Sequence, residues 1–328
     1  MSGSDVIVIT GASSGLGRAT ALLLAARGSR LVLVARSGAA LEEVAGRCRA
    51  RGGQAQAHVA DVTDPEAMLE VADEAIARFG KLNVWVNAAA VATYGRLTDL
   101  PVNEVQRVLD VNVMGYVNGC RAALHAMEAG DAADAGVIVN VASIVGKVSQ
   151  PYTAPYALSK AAVLALGVSF RSELALAGRN VHVVSVVPPT MDTPFFGHAG
   201  NHSGAELVAL PPVYPPALVA RSILKAIRRP HRGERVVGMI GRALVVLHRL
   251  RPRLAEGLMA IQTERGQFGG TPAPGTAGNL FVPVDDGETT GGWHGRRRRN
   301  VRIVLGGVAA VVAATALMSA RGTRQAGD

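Results

Sequence analysis

Short runs of apolar, mostly β-branched residues recur through the first 190 positions, at residues 6–10, 30–35, 56–59, 83–87, 137–142 and 181–187. They are nearly continuous rather than alternating, the pattern of strands buried on both faces of a sheet. Between them the apolar positions take helical spacing, over residues 17–27, 39–51, 65–79, 102–129 and 156–177. Strand–helix alternation of this kind implies right-handed crossovers and an α/β fold with a doubly wound parallel sheet.

The pattern breaks at residues 194–216, where Pro, Gly and His replace it. That stretch reads either as a lid over a pocket or as a plain surface excursion. Residues 215–227 are helical again, 235–240 suit a last strand, and 241–261 form an amphipathic segment broken at Pro252. Residues 1–262 are therefore read as one catalytic domain. Residues 263–300, rich in Gly, Pro and Thr, read as a linker or a loosely packed extension.

Residues 303–320 carry no charge. As a helix they would be about 27 Å long, close to the hydrocarbon thickness of a bilayer. Arg296–Arg299 and Arg302 precede them, and Arg321 and Arg324 follow. The segment reads as a single-pass C-terminal anchor over residues 301–320 with a tail at 321–328, or as a core or interfacial helix. If it spans, the denser Arg cluster puts the catalytic domain in the cytoplasm. If it does not, the protein is expected to be cytoplasmic. Trp293, just before the cluster, is a candidate interfacial anchor.

Composition narrows the class. The chain has 328 residues, 49% hydrophobic and 18% charged, which excludes disorder over most of its length. Of the net charge of +9, residues 296–328 hold seven Arg and one acidic residue. The rest, with 27 basic and 24 acidic side chains, is nearly balanced, and no nucleic-acid partner is expected. Cys48 and Cys120 are far apart, without metal or CxxC spacing, and read as buried filler in a reducing compartment. No secretory leader is recognisable at the N-terminus.

The candidate chemistry begins where the first strand ends. Residues 10–17 read Thr-Gly-Ala-Ser-Ser-Gly-Leu-Gly. A glycine-rich turn between a strand and a helix brings backbone N–H groups and a helix N-terminus against a pyrophosphate. The next strand ends at Arg36, where an NAD-preferring fold usually offers a carboxylate to the ribose 2′-hydroxyl. A guanidinium there suits a 2′-phosphate, so NADP(H) is expected in preference to NAD(H). Tyr156 and Lys160 are four apart on one helix face. Ser143 sits thirteen residues upstream of Tyr156, just past a strand, where a parallel sheet presents its functional end. Asn112 lies inside a helix, where Asn has no local advantage.

Taken together, these residues resemble the short-chain dehydrogenase/reductase family, over about residues 4–240. Gly11, Ser13, Ser14, Gly15, Leu16 and Gly17 resemble its cofactor loop, and Asp61 and Val62 its adenine-contact pair. Asn87 and Ala88 open its NAG-type turn, and Pro188, Thr190 and Thr193 match its PGxxxT segment beside the nicotinamide. Asn112, Ser143, Tyr156 and Lys160 match its catalytic tetrad in order and spacing. Two positions depart: Ala89 and Pro189 stand where the family has Gly, and neither change removes a reacting group. The resemblance implies a Rossmann fold, with Tyr156 and Lys160 also touching the cofactor, and a homo-oligomer formed through the long helices.

A Tyr hydroxyl titrates near ~10 and is a poor proton shuttle at neutral pH unless a nearby cation such as Lys160 favours the phenolate. In carbonyl reduction Tyr156 would donate the proton, while Ser143 hydrogen-bonds the oxygen on which charge develops. Family analogy gives Asn112 a water linking Lys160 to solvent. The reading is an NADP-dependent enzyme interconverting an alcohol and a ketone or aldehyde. Its membrane tail points to an apolar small-molecule substrate. The alternatives are a membrane-attached NADPH sensor or scaffold without turnover, and a 3-ketoacyl reductase. His182 and Trp85 read as core, Asp285 and Asp286 as solvated loop. His198 and His202 lack partners at ligand spacing, so no metal is expected.

Overall fold

A computed structural model describes residues 5–129 and 136–293. In chain order the strands are β1 (Val6–Thr10), β2 (Arg30–Ala35), β3 (Gln54–Val59), β4 (Val84–Asn87), β5 (Thr93–Tyr94), β6 (Gly136–Val141), β7 (Val181–Val187), β8 (Gly200–Asn201), β9 (Ala205–Leu207), β10 (Glu234–Val236) and β11 (Phe268–Pro272). The helices are α1 (Gly15–Ala25), α2 (Gly38–Ala50), α3 (Pro65–Phe79), α4 (Val102–Leu109), α5 (Gly115–Ala129), α6 (Ala154–Leu176), α7 (Phe195–His198), α8 (Pro216–Arg228), α9 (Met239–Leu250) and α10 (Pro252–Gly266).

Seven strands form one parallel sheet in the order β10–β7–β6–β4–β1–β2–β3. The period-2 geometry of a strand divides each run between two cores. Ile7 and Ile9 of β1 join Leu41 and Val44 of α2 and Val219 and Ile223 of α8 on one face. Val6 and Val8 join Met68 and Val71 of α3 and Ala122 and Ala123 of α5 on the other. Helices cover both faces, which is why the runs are continuously apolar. The chain winds from β1 out to β3 and then returns to place β4 on the other side of β1. This reversal opens a crevice at the carboxyl ends of the strands, where doubly wound folds hold their ligands.

Three expectations change. The helix expected over 102–129 is α4 and α5 joined by a π-helical turn, Asp110–Met114. The side chain of Asn112 leaves the helix there to bond the backbone of Val91, and the wider turn accommodates it. The last sheet strand stops at Val236, and α9 begins at Met239 after Gly238 turns the chain with φ 83°. The third change concerns the stretch read as a linker or loose extension, which lies along the core as far as Trp293. β11 pairs antiparallel with β9. Beyond it, Leu280 is fully buried among the residues beneath α3 and α5, a contribution of about 1.5–3 kcal/mol. The carbonyls around it are hydrogen-bonded by Arg36 and Arg107, so Gly-rich composition here reflects close approach rather than looseness. We call residues 278–293 the strap.

Among the described residues no helix is long and apolar enough to cross a membrane. The segment 301–320 and its flanking arginines lie outside the described residues. Trp293 is described, and it packs on protein: its ring meets Phe196 with centroids 5.9 Å apart.

Candidate active site

The glycine-rich turn is shaped by two left-handed glycines, Gly11 at φ 66° and Gly15 at φ 50°. A Cβ on Gly11 would stand 2.7 Å from the Ala89 Cα, and one on Gly17 would strike the Gly11 carbonyl. Only glycine lets β1 turn this tightly into α1, whose N-terminal N–H groups then face the crevice. Thr10 Oγ1 accepts from the backbone N–H of Ala88 at 3.1 Å and of Ala89 at 3.3 Å, tying the turn to the end of β4.

The crevice is a cavity of about 290 Å³. Ser13, Ser14 and Leu16 line it with the three loop glycines. Arg36, Asp61 and Val62 line one end, and Ala88 the floor. Pro188, Thr190 and Thr193 line the other end beside Ser143, Tyr156 and Lys160. A groove lined by a glycine-rich turn at a helix N-terminus fits a dinucleotide. Ala89 and Pro189, the two departures from the family pattern, also line it.

Asn87 is not brought to the crevice. Its side chain is buried between strands, where Nδ2 donates to Asn140 Oδ1 at 2.9 Å and Oδ1 accepts from Trp85 Nε1 at 2.8 Å. The contact expected from it is corrected to a cross-strand bond holding β4 to β6. Asn112 sits one layer behind the wall. It bridges the Val91 N–H and C=O, each at 2.9 Å, and donates to Ser159 Oγ at 3.0 Å.

At the reacting end, Ser143 follows β6, and Tyr156 and Lys160 stand one turn apart on α6. Burial pushes the Tyr156 phenol up to about 12, and a hydrogen bond with Ser143 opposes the shift. Burial draws the Lys160 ammonium down to about 7. Its Nζ donates to the Val141 carbonyl at 3.0 Å and to Tyr116 Oη at 3.2 Å, and lies 5.6 Å from the Tyr156 ring centre. Tyr116, which the sequence did not single out, thus holds the lysine in place. It lies on the helical continuation of the Asn112 segment, and no spacing motif marks it.

Beyond Tyr156 the lining of the cavity is mainly apolar. Phe195 meets the Tyr156 ring at 5.3 Å between centroids, and Leu210, Ile240, Leu244 and Met259 also line it. The segment 194–216 therefore does border the pocket. Three amides, Gln150, Gln262 and Gln267, line it as well.

At the Arg36 end of the cavity Asp61 is paired with Arg107, Nη2 to Oδ2 at 2.5 Å. Burial raises its carboxyl, but the Thr63 backbone N–H and Arg107 outweigh that and hold it below the usual range. Arg36 does not stand free. Its terminal nitrogens donate to the carbonyls of Asn279 at 2.6 Å, Leu280 at 3.1 Å and Phe281 at 3.3 Å. The Ser37 hydroxyl donates to Asp285. His198 Nε2 meets Asp286 at 2.5 Å. The two acids expected in a solvated loop are thus both engaged, because the strap folds back on the crevice. His202 pairs with the buried Glu104 at 2.9 Å. His182 is partly buried against His231, 4.7 Å between ring centres. Among the described residues no group of three metal-ligating side chains forms.

Comparison with known proteins identifies the family. The family model described as short chain dehydrogenase matches residues 5–203. The uncharacterized oxidoreductase YxnA of Bacillus subtilis is 36% identical over 257 residues, 78% of this chain and 71% of that protein. The putative oxidoreductase SadH of Mycobacterium tuberculosis is 30% identical over 253 residues, 75% of this chain and 90% of that one. The probable oxidoreductase EphD of the same organism is 36% identical over 202 residues, and the match spans only 33% of it. Among solved structures, a short-chain dehydrogenase/reductase from Burkholderia phymatum in complex with NAD superposes with a TM-score of 0.68 at 28% identity, over 77% of this chain and 95% of that one. An alcohol dehydrogenase from Thermococcus sibiricus complexed with 5-hydroxy-NADP gives 0.61 at 27% identity, over 71% and 95%. With a parallel doubly wound sheet, a glycine cradle at its switch point and the Ser–Tyr–Lys group at its mouth, the chain belongs to the short-chain dehydrogenase family of oxidoreductases.

Proposed function

We propose that the protein reduces a ketone or aldehyde, or oxidises the matching alcohol, on an apolar substrate, with Tyr156 as the proton-transferring group. The observation that carries this is the grouping of Ser143, Tyr156 and Lys160 at the junction of the dinucleotide groove and an apolar pocket. The nicotinamide cofactor, when bound, supplies or accepts the hydride. Tyr156, whose phenol holds its proton at neutral pH, donates it from Oη to the substrate oxygen. Ser143 Oγ donates a hydrogen bond to that oxygen as charge develops on it. Lys160, fixed by Tyr116 and the Val141 carbonyl, lends positive charge to the phenolate in the reverse direction while it holds its proton. Asn112 holds the wall at Val91 and stations the water that links Lys160 to solvent. Phe195 keeps bulk water from the reacting atoms.

Gly11, Ser13, Ser14, Gly15, Leu16 and Gly17 would hold the pyrophosphate. Asp61, Val62 and Ala88 would hold the adenosine, and Pro188, Thr190 and Thr193 the nicotinamide. Two features bear on the 2′-position: the charge of Arg36 favours the phosphate of NADP(H), and the carbonyls on its terminal nitrogens oppose it. The apolar pocket wall supports an apolar substrate, as does the uncharged run 303–320 in the sequence, which we take as a membrane anchor. Leu158, Val168 and Leu176 are exposed on α6, which supports a homo-oligomer through that helix; a monomer in sedimentation would remove that reading.

The test is oxidation of NADH and NADPH by the full chain in detergent. The panel runs from short aldehydes to long-chain and polycyclic ketones, with Tyr156→Phe as the blank. Turnover rising with the apolar bulk of the carbonyl is expected. Turnover that survives in the blank would overturn the role given to Tyr156.

A further inference from the structure

The strap runs along the dinucleotide groove and bonds to residues at its edge. The Gly15 N–H donates to the Glu288 carbonyl at 2.8 Å. Close by, Asp192 Oδ1 accepts from the Gly291 and Trp293 N–H groups at 3.1 and 2.8 Å, and Trp293 Nε1 donates to the Thr193 carbonyl at 3.2 Å. Asn279, Pro283 and Val284 line the cavity itself. A segment well outside the 5–203 core is thus a wall of the cofactor site.

Its effect is concentrated at the adenosine ribose. A guanidinium recognises a phosphate through the paired N–H groups of its fork. In Arg36 both terminal nitrogens already donate to three strap carbonyls. The adjacent donor, Ser37 Oγ, is taken by the Asp285 carboxylate. An arriving 2′-phosphate would meet a fork with three of its five N–H groups taken and, behind the Ser37 hydroxyl, a like charge, whereas a 2′-hydroxyl brings no charge towards that carboxylate. The carboxylate that the end of β2 lacks in sequence is delivered there in space.

We propose that the strap reverses the cofactor preference implied by Arg36, with Asp285 as the specificity-determining residue, so that the intact chain selects NAD(H) over NADP(H). This rests on the reading of the groove as a nicotinamide dinucleotide site. Two single changes separate the parts. Asp285→Asn removes the charge and keeps the strap. Gly278→Ala dislodges it, because Gly278 has φ 53° and a Cβ there would collide with the His198 carbonyl.

The experiment measures dissociation constants for NADH and NADPH calorimetrically with the full-length protein, and needs no substrate. Trp293 reports the strap: the only other tryptophan, Trp85, is fully buried. The intact chain is expected to bind NADH about tenfold or more tightly than NADPH, the scale of one charged hydrogen bond. Asp285→Asn should narrow that ratio about tenfold. Gly278→Ala should shift Trp293 emission to the red and narrow the ratio likewise, and Arg36→Ala added to it should remove the gain in NADPH affinity. Tighter NADPH binding by the intact chain, or an unchanged ratio in Asp285→Asn, would overturn the proposal even if Gly278→Ala failed to fold. Binding of neither dinucleotide would overturn the reading of the groove, and the proposal with it.

Discussion

Lys160 is a fully buried cation that donates to a carbonyl and a phenol, neither of them charged. Its ammonium is therefore drawn down to about 7, against an unfolded value near ~10.4. Between these values the unfolded chain binds the proton and the native chain does not, so stability rises with pH across that window. The slope is up to about 1.4 kcal/mol per pH unit. Urea midpoints of the cofactor-free protein should climb from pH 7 to 9.5, and Lys160→Met should flatten that climb. Tyr156 acts with the opposite sign: its phenol, pushed up to about 12, keeps its proton while the unfolded chain loses it above ~10. Its contribution is thus lost at higher pH. For the chemistry, Tyr156→Phe should lower kcat by about 10²–10⁴-fold with dinucleotide affinity retained, as kinetics and calorimetry together would show. Equal loss of binding would make Tyr156 a cofactor ligand first.

At the scale of elements, the π-turn between α4 and α5 is the clearest case of a side chain setting backbone geometry. Asn112 satisfies both backbone groups of Val91, a residue in the pocket wall. Asn112→Leu leaves those groups unpaired at about 1–3 kcal/mol each, which denaturant titration would register. A wild-type midpoint would mean that water replaces the amide. This element was only partly legible. The helical period runs through 102–129, and Asn112 stands out as an odd residue within it. What it bonds lies 21 residues away in sequence, and helical periodicity carries no information about it. The β1–α1 turn was fully legible, because its requirement is local: a left-handed φ at Gly11 and no room for a side chain at Gly17. Arg36 was legible as a charge at a strand end and illegible as a capped one, since its partners lie about 244 residues away.

For the molecule as a whole, both thiols serve as probes. Burial pushes Cys48 up to about 11 and Cys120 up to about 12, and both are buried. Neither is nucleophilic in the native state. Labelling by an aromatic disulfide should follow global unfolding and slow when cofactor binds, which stabilises only the native form. Rapid labelling of a native thiol would expose a local opening of α2 or α5. Residues 296–328 set a second test at this scale. If the uncharged run 303–320 anchors the protein as proposed, removing 296–328 should shift it from the membrane to the soluble fraction and leave dinucleotide affinity unchanged. Unaltered partitioning would overturn the anchor.

The sequence by itself determined what depends on neighbours along the chain. That covers the strand and helix periods, the glycine turn, the one-turn spacing of Tyr156 and Lys160, and the place of Ser143 past a strand. From these the fold and the family follow. Only the tertiary structure decided which of these residues meet the groove and which stand behind it. Asn87 is turned inward, because a buried amide must find partners across the sheet. The acids at 285 and 286 meet Ser37 and His198, because the strap returns to a crevice whose walls lie 248 and 88 residues earlier in the chain. Composition marks such a segment as loose. Its order comes from backbone carbonyls satisfied by distant arginines and from one leucine buried in a core it does not adjoin in sequence, and neither is written in any local pattern.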